Sequence, residues 1–317
     1  MGSDVVEPTD SGDDRAGSPE TDGAGEAAIS CRGVVKRFGT QTVLKGVNLD
    51  IKPGETMVVM GGSGSGKSTL LRTIIGSHTA DEGTIHILGH QICGLDQTGM
   101  NEVRKKFGIL FQSGALFNSM TLAENVALPL VEHTDLDPAT IDIMVQIKLE
   151  LVGLREHASK YPDQISGGMK KRAGLARALA LDPKILFYDE PSAGLDPVTS
   201  AEIDQLIIAL SKQLGVTSVV VTHEMDSAFT IADRMAMLDK GRMLHIAPRH
   251  WWEQTRDATD EQAASMSQDE QLIRQFLRGS PVGPLTERRS GEGYAEALFG
   301  ESSERVTTLP SVEPTRG

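Results

Sequence analysis

The run Gly61-Gly62-Ser63-Gly64-Ser65-Gly66-Lys67-Ser68-Thr69 fits G-x-x-x-x-G-K-[ST] and follows the short apolar stretch Thr56–Met60. Glycines let successive backbone N–H groups turn onto phosphate oxygens, and a helix opening at Lys67 adds its positive end. Lys67 can neutralise β- and γ-phosphates, and the Ser68 hydroxyl suits a phosphate-bound Mg²⁺. A merely flexible Gly/Ser loop would not need strand, lysine and hydroxyl in this register. A second constellation, Ile185-Leu186-Phe187-Tyr188-Asp189-Glu190, is an apolar strand ending in two acids. At the strand's C-terminal edge Asp189 can hold Mg²⁺ through its water shell, while Glu190 can orient or polarise a water. Alone, that pair could be two solvated acids; beside a phosphate loop it points to hydrolysis of a nucleoside triphosphate.

These residues need a sheet and helices to present them. Alternating residues predict a strand over Val43–Ile51, and apolar runs predict strands at Thr56–Met60, Phe107–Phe111, Ile185–Tyr188 and Thr217–Thr222. A further strand is expected near Thr84–Leu88, and Met235–Leu238 with Met243–Ile246 reads as an edge hairpin around Asp239-Lys240-Gly241. Helices are expected over Lys67–Gly76, Leu122–Leu130 (closed by Pro129), Ile141–Val152 entered through Asp137-Pro138, Ser166–Leu181 and Pro197–Leu214. The alternation is that of an α/β fold with a mainly parallel sheet.

The chain has 317 residues and a formal net charge of −13. Residues 1–27 hold eight acids and one base, and residues 253–317 twelve acids and seven bases, so the body between is nearly neutral. A neutral body argues against nucleic-acid binding. The acidic, Gly/Ser/Pro-rich stretch 1–27 is expected to be disordered, 28–252 to form the catalytic body, and 253–317 to be an extension with one amphipathic helix near 268–278. The N-terminus has no basic start or apolar run, so no secretory leader is expected, and no segment of roughly 18 apolar residues could span a bilayer. Two cysteines, Cys31 and Cys93, read as packing residues in a reducing compartment. Lys170-Lys171-Arg172 reads as a solvated helix face, and the patch Tyr294–Phe299 as chance or a weak docking peptide.

Six motifs then occur in order: the phosphate loop, Gln112 after an apolar strand, Ser166-Gly167-Gly168 before a helix, Tyr188-Asp189-Glu190-Pro191, Ala193-Gly194-Leu195-Asp196-Pro197 and Thr222-His223-Glu224. Over roughly residues 29–250 this resembles the ATP-binding subunit of an ABC transporter. The resemblance implies a P-loop NTPase fold of the ABC ATPase type, with an antiparallel β subdomain and a helical subdomain at about 113–165. It implies ATP and Mg²⁺ as ligands, with Ser68, Gln112 and Asp189 at the metal. It also implies a homodimer in which Ser166, Gly167 and Gly168 of one copy cap the γ-phosphate held by the other, with Asp196 at the seam. Glu190 would be the catalytic carboxylate, His223 would contact the γ-phosphate and water, and Phe38 would stack on adenine.

Departures narrow the resemblance. Met169 stands where the signature usually carries Gln, the Gln112 loop reads Phe111-Gln112-Ser113-Gly114-Ala115-Leu116-Phe117, and Ile273-Arg274-Gln275-Phe276-Leu277 precedes Gly283-Pro284. Together these resemble the ATPases of the Mla and Mce lipid-transport systems. That implies an MlaE/YrbE-like integral membrane permease, an Mce-domain substrate-binding protein, and a peripheral position on the cytoplasmic face of the inner membrane. Residues 118–129 would receive the permease's coupling helix, and the late amphipathic helix would pack on its own core or cross to the twin subunit, the resemblance favouring the crossing. The alternatives are another class of ABC importer or exporter, an ATP-binding regulatory subunit, or a non-transport ABC ATPase. One phosphate loop and no sustained heptads weigh against the last.

Overall fold

Strand β1 (Ile29–Phe38) turns through Gly39-Thr40 into β2 (Gln41–Ile51), and alternation buries Ile29, Cys31, Val34, Leu44, Val47, Leu49 and Ile51 on one side. The computed structural model describes residues 27–286. β1 also pairs with β4 (Glu82–Ile87), which is followed by β5 (His90–Gln91), and the antiparallel order is β2-β1-β4-β5.

The second sheet uses β3 (Thr56–Met60), β6 (Phe107–Leu110), β7 (Ile185–Asp189), β8 (Thr217–Val221), β9 (Arg234–Asp239) and β10 (Arg242–Pro248). Its order is β10-β9-β3-β8-β7-β6, parallel throughout except for β10 on the edge. Every residue of β3, β7 and β8 is buried, as unbroken apolar strands require when both sheet faces are covered. The period of two splits them: Met57 and Val59 join the core shared with the antiparallel sheet, while Val58 and Met60 join the core under the helices.

The helices are α1 (Lys67–Ile74), α2 (Gln97–Arg104), α3 (Leu122–His133), α4 (Pro138–Leu151), α5 (Gly167–Ala178), α6 (Pro197–Leu214), α7 (Met225–Ile231), α8 (Arg249–Asp257), α9 (Asp260–Ala264) and α10 (Gln268–Arg278). Helix α3 does not close at Pro129; it carries the proline inside and runs on to His133. A proline there removes one N–H donor, and the buried Leu130 keeps the next turn seated until Thr134 bonds the Leu130 carbonyl through both its N–H and its hydroxyl.

Helix α8 spans the 252/253 point, with Trp252 fully buried and its indole N–H donating to the Ala247 carbonyl at 3.1 Å. The apolar face of α10 is spent on this same core: Leu272, Ile273 and Leu277 are buried with Trp252 and Val216. Helix α10 thus packs its apolar face on the core of its own chain. The acidic N-terminal stretch and the Tyr294–Phe299 patch lie outside the described residues.

Candidate functional site: a nucleotide site at the C-terminal edge of the parallel sheet

The phosphate loop joins β3 to α1, and its backbone could not be built from other residues. Gly61 sits at φ +150°, where a Cβ would come within 2.1 Å of the Leu238 carbonyl oxygen. Gly66 is the left-handed N-cap of α1 and supplies no side-chain cap, so the first-turn N–H groups stay open to an anion. Lys67 is buried and folded back on its own loop, its Nζ donating to the carbonyls of Gly61 at 2.8 Å and Gly62 at 3.1 Å. Burial pulls its pKa below the ordinary lysine value, while Glu190 and Asp189 pull the other way. Ser63, Gly64 and Ser68 are exposed at the mouth, Gly62 and Thr69 are half-buried, and Ser65 is buried with an unpartnered hydroxyl.

Asp189 ends β7. It is buried, one carboxylate oxygen has no hydrogen-bond partner, and burial, reinforced by Glu190, raises its pKa above the usual carboxylate value. An orphaned carboxylate oxygen facing Lys67 electrostatically, with the Ser68 hydroxyl at the loop mouth, is an all-oxygen donor set that fits Mg²⁺. Among the described residues no cluster of three or more His, Cys, Asp or Glu could hold a metal by itself. The residues fit a cation completed by phosphate and water.

Glu190, one residue on, has φ +50°, rare for a residue with a Cβ. Its Oε1 lies 2.9 Å from His223 Nδ1, and the His223 backbone N–H donates to Oε2 at 3.4 Å. His223 is exposed just beyond β8. Gln112, two residues past β6, is also exposed. The phosphate loop, His223, the Asp189–Glu190 pair and Gln112 therefore follow the C-terminal ends of four neighbouring strands, β3, β8, β7 and β6. Open parallel sheets place ligands at that edge.

The remaining expected residues lie elsewhere. Ser166 caps α5 by accepting from the Met169 N–H at 3.3 Å, and Ser166 and Gly167 are exposed. Gly168 is buried, since a Cβ there would approach the Thr199 methyl to 2.4 Å. Asp196 caps α6, accepting from the N–H groups of Val198 and Thr199, both at 3.1 Å, and from the Thr199 hydroxyl at 2.6 Å. The Thr199 hydroxyl, then those backbone donors, hold its pKa below the usual range. Phe38 is exposed at the end of β1, its ring edge-on to His78 at 5.3 Å, with Lys36 Nζ also 5.3 Å from the ring.

Lys171 corrects the sequence reading: it is buried rather than solvated, with its Nζ donating to the Glu190 carbonyl at 2.9 Å. Helical spacing carried the signal, since Lys171 shares a face with the buried Gly168, Gly174 and Leu175. A second feature gave no local signal. Buried Asp204 of α6 accepts from the Ser227 hydroxyl, which meets the Ser192 hydroxyl at 3.3 Å, joining the segment after Glu190 to the helix after His223.

This arrangement defines a P-loop nucleotide-binding site. The family described as ABC transporter matches residues 44–193. The probable ribonucleotide transport ATP-binding protein mkl of Mycobacterium leprae is 43% identical over 258 residues, covering 81% of this chain and 71% of that one. The intermembrane phospholipid transport system ATP-binding protein MlaF of Escherichia coli K12 is 39% identical over 274 residues, covering 86% and 97%. Among solved structures, the dimeric post-hydrolysis state of the ATP-binding cassette MJ0796 bound to ADP and Pi matches with 34% identity and TM-score 0.64, covering 70% of this chain and 98% of that one. The chain belongs to the ATP-binding subunits of ABC transporters, and it is an ATP hydrolase.

Proposed function

We propose that two copies of this chain bind two ATP molecules with Mg²⁺ and, through a membrane permease and an Mce-domain protein, drive the movement of phospholipid or a related hydrophobic molecule. The observation that carries the cargo class is that the resemblance to MlaF runs over 97% of that protein's length. Near end-to-end correspondence takes in the late helices as well as the motifs every ATPase of this kind needs. A peripheral position on the cytoplasmic face of the inner membrane belongs to the same reading. Among the described residues, no helix is long and apolar enough to cross a membrane.

The chemistry follows from the side chains. Lys67 exchanges the carbonyls of Gly61 and Gly62 for β- and γ-phosphate oxygens, and the open N–H groups of the loop and α1 take the rest. Ser68, Asp189 and Gln112 would hold Mg²⁺, which neutralises phosphate charge as the transferred group separates. Glu190 orients the attacking water and accepts its proton, and the products are ADP and phosphate. His223, already bonded to the Glu190 carboxylate, fixes that carboxylate and turns its exposed ring toward the γ-phosphate. Phe38 offers an exposed ring face to adenine.

The exposed Ser166 and Gly167 open the positive end of α5 and have their hydrogen bonds within that helix. They are placed to cap a phosphate held by a second copy, with the exposed Asp196 beside the seam. Co-purifying the full chain with its membrane partner and analysing bound small molecules tests the cargo. Phospholipid is the expected finding; a ribonucleotide cargo, the class named for the mycobacterial relative, would overturn it.

A further inference from the structure

Lys171 is a cation in a place that asks for an explanation. It lies one turn inside α5 and is only 5% exposed, and helix-core positions seldom hold an ammonium without a purpose. Its Nζ donates to the carbonyl oxygen of Glu190 at 2.9 Å, an oxygen that also accepts from the Ala193 N–H at 3.3 Å. Burial pulls the lysine pKa down, and the carboxylates of Glu190, Glu224 and Asp189 facing it pull the other way. The residue it grips has left-handed backbone, at φ +50°. Such a conformation persists only where neighbours enforce it. On the other side, the Glu190 N–H donates to the Val221 carbonyl at 2.9 Å, so the peptide groups flanking Glu190 are held from β8 and from α5 at once.

The N-cap Ser166 and the first residue of α5, Gly167, are exposed, while Lys171, one turn further on, reaches the Glu190 carbonyl at the sheet edge. Gly168 packs against Thr199 of α6, which gives α5 a close-packed contact close to its N-terminus. A shift of α5 along or about its axis therefore pulls directly on the Glu190 carbonyl.

We propose that Lys171 is a positioning residue that ties the exposed N-terminus of α5 to the strained backbone of Glu190, so that engagement of a second copy's phosphate at Ser166–Gly168 sets the aim of the carboxylate in its own chain. This rests on the reading of Glu190 as the residue that orients water and of α5 as the cap on the partner's nucleotide. It adds a mechanical path by which one half-site reports to the other, through a charged hydrogen bond from side chain to backbone.

The experiment is steady-state ATP hydrolysis by the full-length chain carrying Lys171→Met, Lys171→Gln or Lys171→Arg, with thermal unfolding as the check on folding. A misaimed carboxylate slows the chemical step and leaves nucleotide binding alone, so kcat should fall about tenfold while KM for ATP stays within about twofold. Lys171→Arg, which keeps a cationic donor, should recover a substantial part of that loss. Turnover within about twofold of the parent in a folded Lys171→Met or Lys171→Gln chain overturns the proposal, as does a joint change of kcat and KM. Failure of both neutral variants to fold also overturns it, by assigning the residue to stability. Glu190→Gln separates the two levels. Undiminished turnover in that variant removes the carboxylate reading itself, whereas loss there with retention in Lys171→Met removes only the tie.

Discussion

At the residue scale, the site is a set of charges partnered from within the chain, with one oxygen left over. Lys67 is satisfied by loop carbonyls, Glu190 by His223, and Asp189 keeps an oxygen without a partner. Glu190→Gln keeps the shape and the acceptor toward His223 but cannot take a proton. Its kcat should fall at least about 100-fold, with ATP affinity within about twofold of the parent. Phosphate release and nucleotide titration measure the two, and light scattering should show dimers accumulating with ATP. Parent-like hydrolysis in this variant would remove Glu190 from its role. Lys67→Ala deletes the only side-chain cation buried within the phosphate loop, and should lose ATP binding as well as turnover; equilibrium titration with a fluorescent ATP analogue reads it directly.

At the scale of elements, helix ends and one late helix carry the testable claims. Asp196 accepts from two N–H groups of α6, so Asp196→Ala should cost about 1 kcal/mol of stability, seen as a lower urea midpoint. Asp196→Asn should recover most of that loss, and an unchanged midpoint in the alanine variant would show the cap to be idle. Helix α10 packs on its own core, which changes what removing it does. Leu272 is fully buried, and Leu272→Ala should cost about 2–5 kcal/mol. Deleting residues 268–317 should therefore destabilise the fold rather than only loosen assembly. A deletion that leaves the unfolding midpoint in place would contradict the packing seen here.

At the scale of the whole molecule, two quantities report on long-range organisation. Asp204 is buried, and burial raises its carboxyl pKa, opposed by the Ser227 hydroxyl. The native chain thus keeps this proton to higher pH than the unfolded chain, so its contribution to stability declines as pH rises from the ordinary carboxylate value through the raised one. Asp204→Asn stays neutral, keeps an oxygen for Ser227, and should gain on the parent as pH rises. Melting temperatures of the pair, from mildly acidic to neutral pH, should diverge in that direction; a constant difference would count against it. The second quantity is assembly. If each copy completes its partner's pocket, ATPase activity per chain should climb with protein concentration before levelling. A flat profile down to dilutions where light scattering finds only monomers would contradict the shared site.

The phosphate loop, the strands at 56–60 and 217–221 and the helix at 197–214 are written locally: glycines at forced backbone angles, apolar runs bounded by turns, and Asp-Pro entering a helix. Fold class and the ATPase motifs followed from those short-range signals, because backbone preference and side-chain period act over a few residues. The partnership of Glu190 with His223, 33 residues apart, required β7 and β8 to lie side by side. The inward turn of Lys171, the run of α3 past Pro129 and the seating of α10 beside Trp252 likewise depended on neighbours distant in the chain. A charge run or an amphipathic stripe states that a face exists. Only packing decides what that face meets, since burial free energy is set by the partner surface and not by the segment alone.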